Sequence, residues 1–118
     1  MIPLSEQERH NLAMNYVGKY LEDQGYEFLG VNSQLKKNPQ FVTLKDKKTS
    51  FVVVRAVPFP AHEEDYDPAF MNKMKSHAEK FNAKIYYAGV GLADTAHDDM
   101  PIHHDREYKL NFTGLVEI

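Results

Sequence analysis

The chain has 118 residues, no cysteine, a formal charge of −3 and a pI near 6.0, with 42% hydrophobic and 26% charged residues. That length supports one domain, residues 1–118, with a single core, and the balance of apolar and charged residues is that of a globular protein. The missing cysteine excludes disulfides, thiol catalysis, cysteine-ligated zinc and iron–sulfur clusters, and the mild acidity argues against a dedicated nucleic-acid binder.

No apolar run approaches a membrane span, and Met1-Ile2-Pro3-Leu4 leads straight into charged residues without a signal-peptide pattern. The expected location is the cytoplasm, with no membrane partner. Gly89-Val90-Gly91 lacks the third glycine and the following helix of a dinucleotide fingerprint, so no nucleotide or flavin motif is present. Charge is uneven: Lys36, Lys37, Lys45, Lys47 and Lys48 cluster in the first half, and Glu63-Glu64-Asp65 and residues 94–105 are acidic. Solvated turns and loops account for both.

In chain order, Ser5-Glu6-Gln7-Glu8 is a capping box opening a helix over residues 5–24. Leu12, Tyr16 and Tyr20 form one row of its apolar face, Ala13, Val17 and Leu21 the next, and Gly25 supplies the left-handed stop. A strand follows over Tyr26–Val31, then a polar connection over Asn32–Pro39. Gln40–Lys45 alternates as a half-buried strand, and Asp46–Thr49 reads as a polar turn. Next comes Phe51-Val52-Val53-Val54-Arg55-Ala56-Val57, whose four consecutive large apolar residues, Phe51–Val54, predict a strand buried on both faces at the middle of the sheet, interrupted by Arg55. Pro58 and Pro60 end it.

Asp67-Pro68 is an N-cap with proline at the first helical position, and the helix over 68–81 carries Phe70, Met71, Met74, Ala78 and Phe81 on one face. A strand over 85–90 follows directly, which implies a crossover and therefore parallel pairing with strand 51–57. Residues 91–107 read as a long loop rich in Asp and His, and Tyr108, Leu110 and Phe112 alternate in a last strand. The predicted order α-β-β-β-α-β-β gives a three-layer α/β/α fold around a mixed sheet of four to five strands.

Across residues 5–90 this order resembles the restriction-endonuclease-like fold of the PD-(D/E)xK superfamily, in particular small bacterial endonuclease-related proteins. The likeness rests on Tyr20-Leu21 leading into Gly25-Tyr26, on Leu29 and Asn32, on the hairpin ending Phe51–Arg55, on the lysine-bearing helix and on Ala83–Tyr87. The resemblance implies an Asp at the start of the second strand and Glu-x-Lys in the third, holding a divalent metal against a phosphodiester. Laid on this chain, those positions fall at or next to Phe41, at Val53 and at Arg55, so both carboxylates are absent. Arg55 keeps the positive charge but does not deprotonate.

The expectation is therefore a catalytically inactive nuclease-fold module used for binding or assembly. A protein partner or self-association through the C-terminal edge strand is favoured over nucleic acid. Two alternatives stand beside it. One is a metal-dependent nuclease with migrated carboxylates, with Asp46, Glu63, Glu64 or Asp65 on the metal and Arg55 or Lys75 on the phosphate. The other is a metal- or small-ligand-binding module on the loop carrying His97, Asp99, His103 and His104, with ligand types suited to zinc, nickel or manganese. Only these alternatives call for a divalent metal.

Overall fold

The computed structural model describes residues 2–118. Two helices, α1 (Glu6–Asp23) and α2 (Pro68–Glu79), flank a sheet built from β1 (Glu27–Val31), β2 (Phe41–Lys45), β3 (Lys48–Pro58), β4 (Lys84–Asp94), β5 (Tyr108–Phe112) and β6 (Val116–Glu117). The strands lie in the order β1-β2-β3-β4-β5, with β6 also pairing β4. β1, β2 and β3 form an antiparallel meander; β3 and β4 are parallel; β5 and β6 run antiparallel to β4. The sheet is thus mixed and has six strands, more than the four to five expected.

The central run of β3 is buried on both faces, as its composition predicts. Val52 and Val54 pack with Ala13, Val17 and Leu21 of α1, while Phe51 and Val53 pack with Met71, Met74 and Ala78 of α2. One helix per face leaves each side of β3 and β4 covered, so a continuous β-branched run meets apolar neighbours in both directions. Among the described residues no helix is long and apolar enough to cross a membrane.

The helix boundaries follow local chemistry. At α1 the Ser5 side chain accepts from the Glu8 amide while the Glu8 carboxylate accepts from the Ser5 amide, completing the capping box. Gly25 takes φ +90° just beyond its end. Asp67 caps α2 by accepting from the Ala69 and Phe70 amides.

Four details differ from the sequence-based expectation. The β2–β3 turn is two residues, Asp46 and Lys47, both with positive φ (51° and 64°), so Lys48 and Thr49 belong to β3. β4 continues to Asp94, because Gly91–Asp94 find a partner in β5 and the loop shortens accordingly. The C-terminal segment is two strands, broken around Gly114 at φ +90°. Phe81 lies past the end of α2, 60% exposed, against Phe51 and His77 instead of in the core.

Candidate functional site

Parallel pairing of β3 and β4 sets Arg55 opposite Gly89, at the end of β3 where its apolar run stops. Arg55 follows Val53 on the α2 side of the strand, and its guanidinium lies over the Phe70 ring, 5.2 Å from the centroid. Nη1 donates to Asn38 Oδ1 (3.0 Å) and to the Val54 carbonyl (2.9 Å). Half-buried, Arg55 has its pKa lowered by burial, against which nearby Tyr87 acts weakly. No carboxylate forms an ion pair with it among the described residues.

What holds Arg55 there is a side chain the sequence did not advertise. Gln40, fully buried, stands just before β2 and continues its pairing: its amide donates to the Val52 carbonyl (3.1 Å), and its Oε1 accepts from Val54 N–H (2.8 Å). Its Nε2 donates to the Lys37 carbonyl (3.1 Å) and to Asn38 Oδ1 (2.8 Å), the same oxygen that takes Arg55. A glutamine amide thus completes the β3 ladder and orients the Arg55 partner in one step.

Beside Arg55, a cavity of about 220 Å³ opens between β3, β4 and the start of α2. Val53, Val57, Phe70 and Met71 give it apolar walls; Arg55, Asp65, Asp67 and Tyr87 give it polar ones. It lies at the carboxyl end of a parallel strand next to a helix N-terminus, where open α/β sheets place their ligands. Tyr87 is 1% exposed, and its hydroxyl is buried with no hydrogen-bond partner. Burial, reinforced by the Asp65 charge and opposed by Arg55, pushes the phenol up to about 12, so it is a protonated donor at neutral pH. Gly89 makes room for the ring: a Cβ there would stand 2.8 Å from Tyr87 Oη and 2.9 Å from Cε2.

On the α1 side of the same arginine lies a second, more polar cavity of about 280 Å³, reached by Glu6, Arg9, Lys36 and Asn38. His10 is buried in α1 with both ring nitrogens unpartnered; burial lowers its pKa, Arg55 adds to that and Glu6 opposes it. Its imidazole is held neutral.

The positions aligned with the nuclease motif divide between the two faces. Val53 and Arg55 border the α2-side cavity, whereas Phe41 stacks on Phe28 in the α1-side core, and its neighbour Gln40 is engaged with β3. Of the migrated-acid candidates only Asp65 reaches Arg55's cavity, joined there by Asp67, which had been read as a cap alone. Glu63, Glu64 and Lys75 are exposed and line no part of it. Asp46 sits in the β2–β3 turn beside Lys45, Lys48 and Lys84, at the opposite end of β3, about 23 Å away at the usual strand rise.

The His/Asp loop does not gather into a ligand set. His104 pairs with Glu8 (Nε2–Oε2 3.3 Å), and His103 forms a bridge with Pro3. His97 is exposed, and Asp99 lines a cleft of about 490 Å³ with Arg9 and Pro101. Among the described residues no three His, Asp or Glu side chains converge as metal ligands. The physical reason lies in other bonds. Asp94, buried at the loop's start, accepts from the Ala96 amide (2.9 Å) and pairs with Arg106 (3.0 and 3.3 Å), while Asp98 pairs with Lys109. Asn111 of β5 grips Ala61 through both its backbone groups (2.8 and 3.2 Å), fixing the segment that leads to the cavity.

Fold and site together describe a small mixed α/β domain with a charged, phenol-bearing cavity at the end of its central strand. The model of DUF8840, a domain of unknown function, matches residues 7–118, and the chain belongs to that family. No curated protein and no solved structure matches the chain.

Proposed function

We propose that the chain is a binding module built on a restriction-endonuclease-like sheet, with the cavity beside Arg55 as its ligand site. The Arg55 guanidinium, which spends only Nη1 on the protein and lines this cavity, carries this reading. Arg55, whose charge is disfavoured by its burial, stands at the same cavity without a carboxylate partner. At the positions where the superfamily carries metal ligands, Val53 is apolar and Gln40 is bonded into β3, which supports binding over phosphodiester hydrolysis.

The test is a titration of ¹⁵N-labelled protein with a panel of small carboxylates, amines and amphoteric compounds. Binding at this site shifts the amides of Val53–Val57, Phe70 and Tyr87 together, and the shifts vanish in Arg55→Met. A panel that leaves those amides unmoved, or moves them equally in Arg55→Met, refutes the assignment.

One observation favours a second reading, the migrated-carboxylate nuclease: Asp65 and Asp67 both line the cavity that holds Arg55. Each has one oxygen engaged, Asp65 Oδ2 by the His62 amide (2.7 Å) and Asp67 Oδ1 by the α2 amides, leaving one oxygen apiece for a cation. Cleavage of mixed DNA and RNA that requires magnesium or manganese and weakens in Arg55→Ala would establish it. Lack of cleavage with either metal would leave the binding reading alone.

A further inference from the structure

We infer that the cavity beside Arg55 takes a free amino acid with an apolar side chain, its carboxylate on Arg55 and its ammonium on Asp65. The inference rests on reading that cavity as a ligand site and names the chemistry that fits it.

Opposite charges face one small cavity without pairing with each other. Arg55 spends only Nη1 on the protein; among the described residues, Nε and Nη2 have no partner. That edge of a guanidinium is the fork that takes a carboxylate through two parallel hydrogen bonds. Asp65 accepts from the His62 amide through Oδ2 and keeps Oδ1 unengaged. A plain carboxylate entering the cavity would meet the fields of Asp65 and Asp67, and a plain amine would meet that of Arg55. A zwitterion offers a partner to each sign.

The remaining features narrow the class. The Tyr87 phenol feels both Asp65 and Arg55, so it lies within the same electrostatic field, with its hydroxyl buried. Val53, Val57, Phe70 and Met71 offer nothing for a polar side chain to bond, so the side chain selected is apolar. A volume of about 220 Å³ lies below the usual range for cofactor pockets, which suits one amino acid.

The experiment is isothermal titration of the full chain with three probes that share one side chain: L-leucine, 4-methylpentanoate, which lacks the ammonium, and 3-methylbutylamine, which lacks the carboxylate. Amide spectra locate the binding. L-Leucine is expected to shift the amides of β3 and of the start of α2, with each truncated probe at least about tenfold weaker. Asp65→Asn, a change in an exposed segment, should remove the advantage of leucine over 4-methylpentanoate, and Arg55→Met its advantage over 3-methylbutylamine. If 4-methylpentanoate binds the same amides as tightly as leucine, the amino-acid inference is overturned while the cavity stands as a ligand site. If none of the three moves those amides at millimolar concentration, and the wider panel does not either, both readings fail together.

Discussion

Replacing Tyr87 with phenylalanine removes one oxygen and nothing else, and the structure fixes the direction of its effect. The hydroxyl is buried, has no partner, and stands in a ring that is 1% exposed. In the unfolded chain water satisfies it; in the fold no described group of the protein does. Tyr87→Phe should therefore raise the stability of the ligand-free protein at pH 7 by roughly 1 kcal/mol, the low end of the usual desolvation penalty. Most buried tyrosine-to-phenylalanine changes do the reverse, because they break a bond.

A second dimension comes from pH. The phenol is held up to about 12 in the fold against an ordinary 10.0. Between those values the unfolded chain sheds a proton that the native chain keeps, so native stability falls as pH rises through the window. At pH 11 the linkage amounts to about 1 kcal/mol. Other lysines and tyrosines titrate there too, but they do so in both proteins and cancel in the difference. The advantage of Tyr87→Phe should thus grow from roughly 1 kcal/mol at pH 7 to roughly 2 kcal/mol at pH 11. Urea unfolding of both proteins at the two pH values, read by far-ultraviolet circular dichroism, supplies the numbers. A variant less stable than the parent at pH 7 would mean that the hydroxyl has a partner in solution, and the reasoning about the cavity would fall with it.

Gln40→Leu keeps the volume but leaves the buried Val54 N–H without its acceptor, which should lower stability by about 2–3 kcal/mol in the same urea assay. A loss below about 0.5 kcal/mol would show that the glutamine carbonyl does not complete β3. Gly89→Ala sets a Cβ 2.8 Å from Tyr87 Oη and should cost about 1–3 kcal/mol and displace the ring, whereas in a Tyr87→Leu background the cost should largely disappear. An equal cost in both backgrounds would locate the strain elsewhere. His10 is held neutral with its pKa lowered, so acidification below its ordinary 6.5 favours the unfolded chain, which binds the proton more readily. Stability should fall from about pH 6.5 downward until the native imidazole itself charges, and His10→Phe should flatten that slope; identical slopes would place His10 in water.

Much of the fold was legible because each element announces itself locally. The capping box at Ser5, the Asp67-Pro68 start and the apolar run through Val54 depend on neighbours in sequence, and the structure places all three as the patterns require. The expectations that shifted depend on pairing across distance. Nothing in Gly91–Asp94 marks it as strand until β5 is laid beside it, and Phe81 looks like a core residue until the helix ends at Glu79. The site was legible in part. Arg55 stood out as the positive charge in an otherwise apolar strand. That Tyr87 carries an unpaired hydroxyl, that Gly89 clears its space, and that Gln40 sets the partner of Arg55 are facts of juxtaposition, the last joining Asn38 to Arg55 across 17 residues.

The same juxtaposition explains why one charged residue can occupy this place. An arginine at the end of a buried strand needs donors satisfied, charge tolerated and stem packed. Here Asn38 and the Val54 carbonyl satisfy two bonds, and Phe70 lies under the guanidinium. Among the described residues no ion pair with a carboxylate neutralises it. A purely structural arginine would gain from such a pair: Asp65 and Asp67 line the same cavity, and Arg55 pairs with neither. Separation of the charges across a cavity that also holds an unpaired phenol is poor design for stability alone. It is the arrangement that the proposed ligand would complete, and the gain in stability expected from Tyr87→Phe tests the unpaired phenol directly.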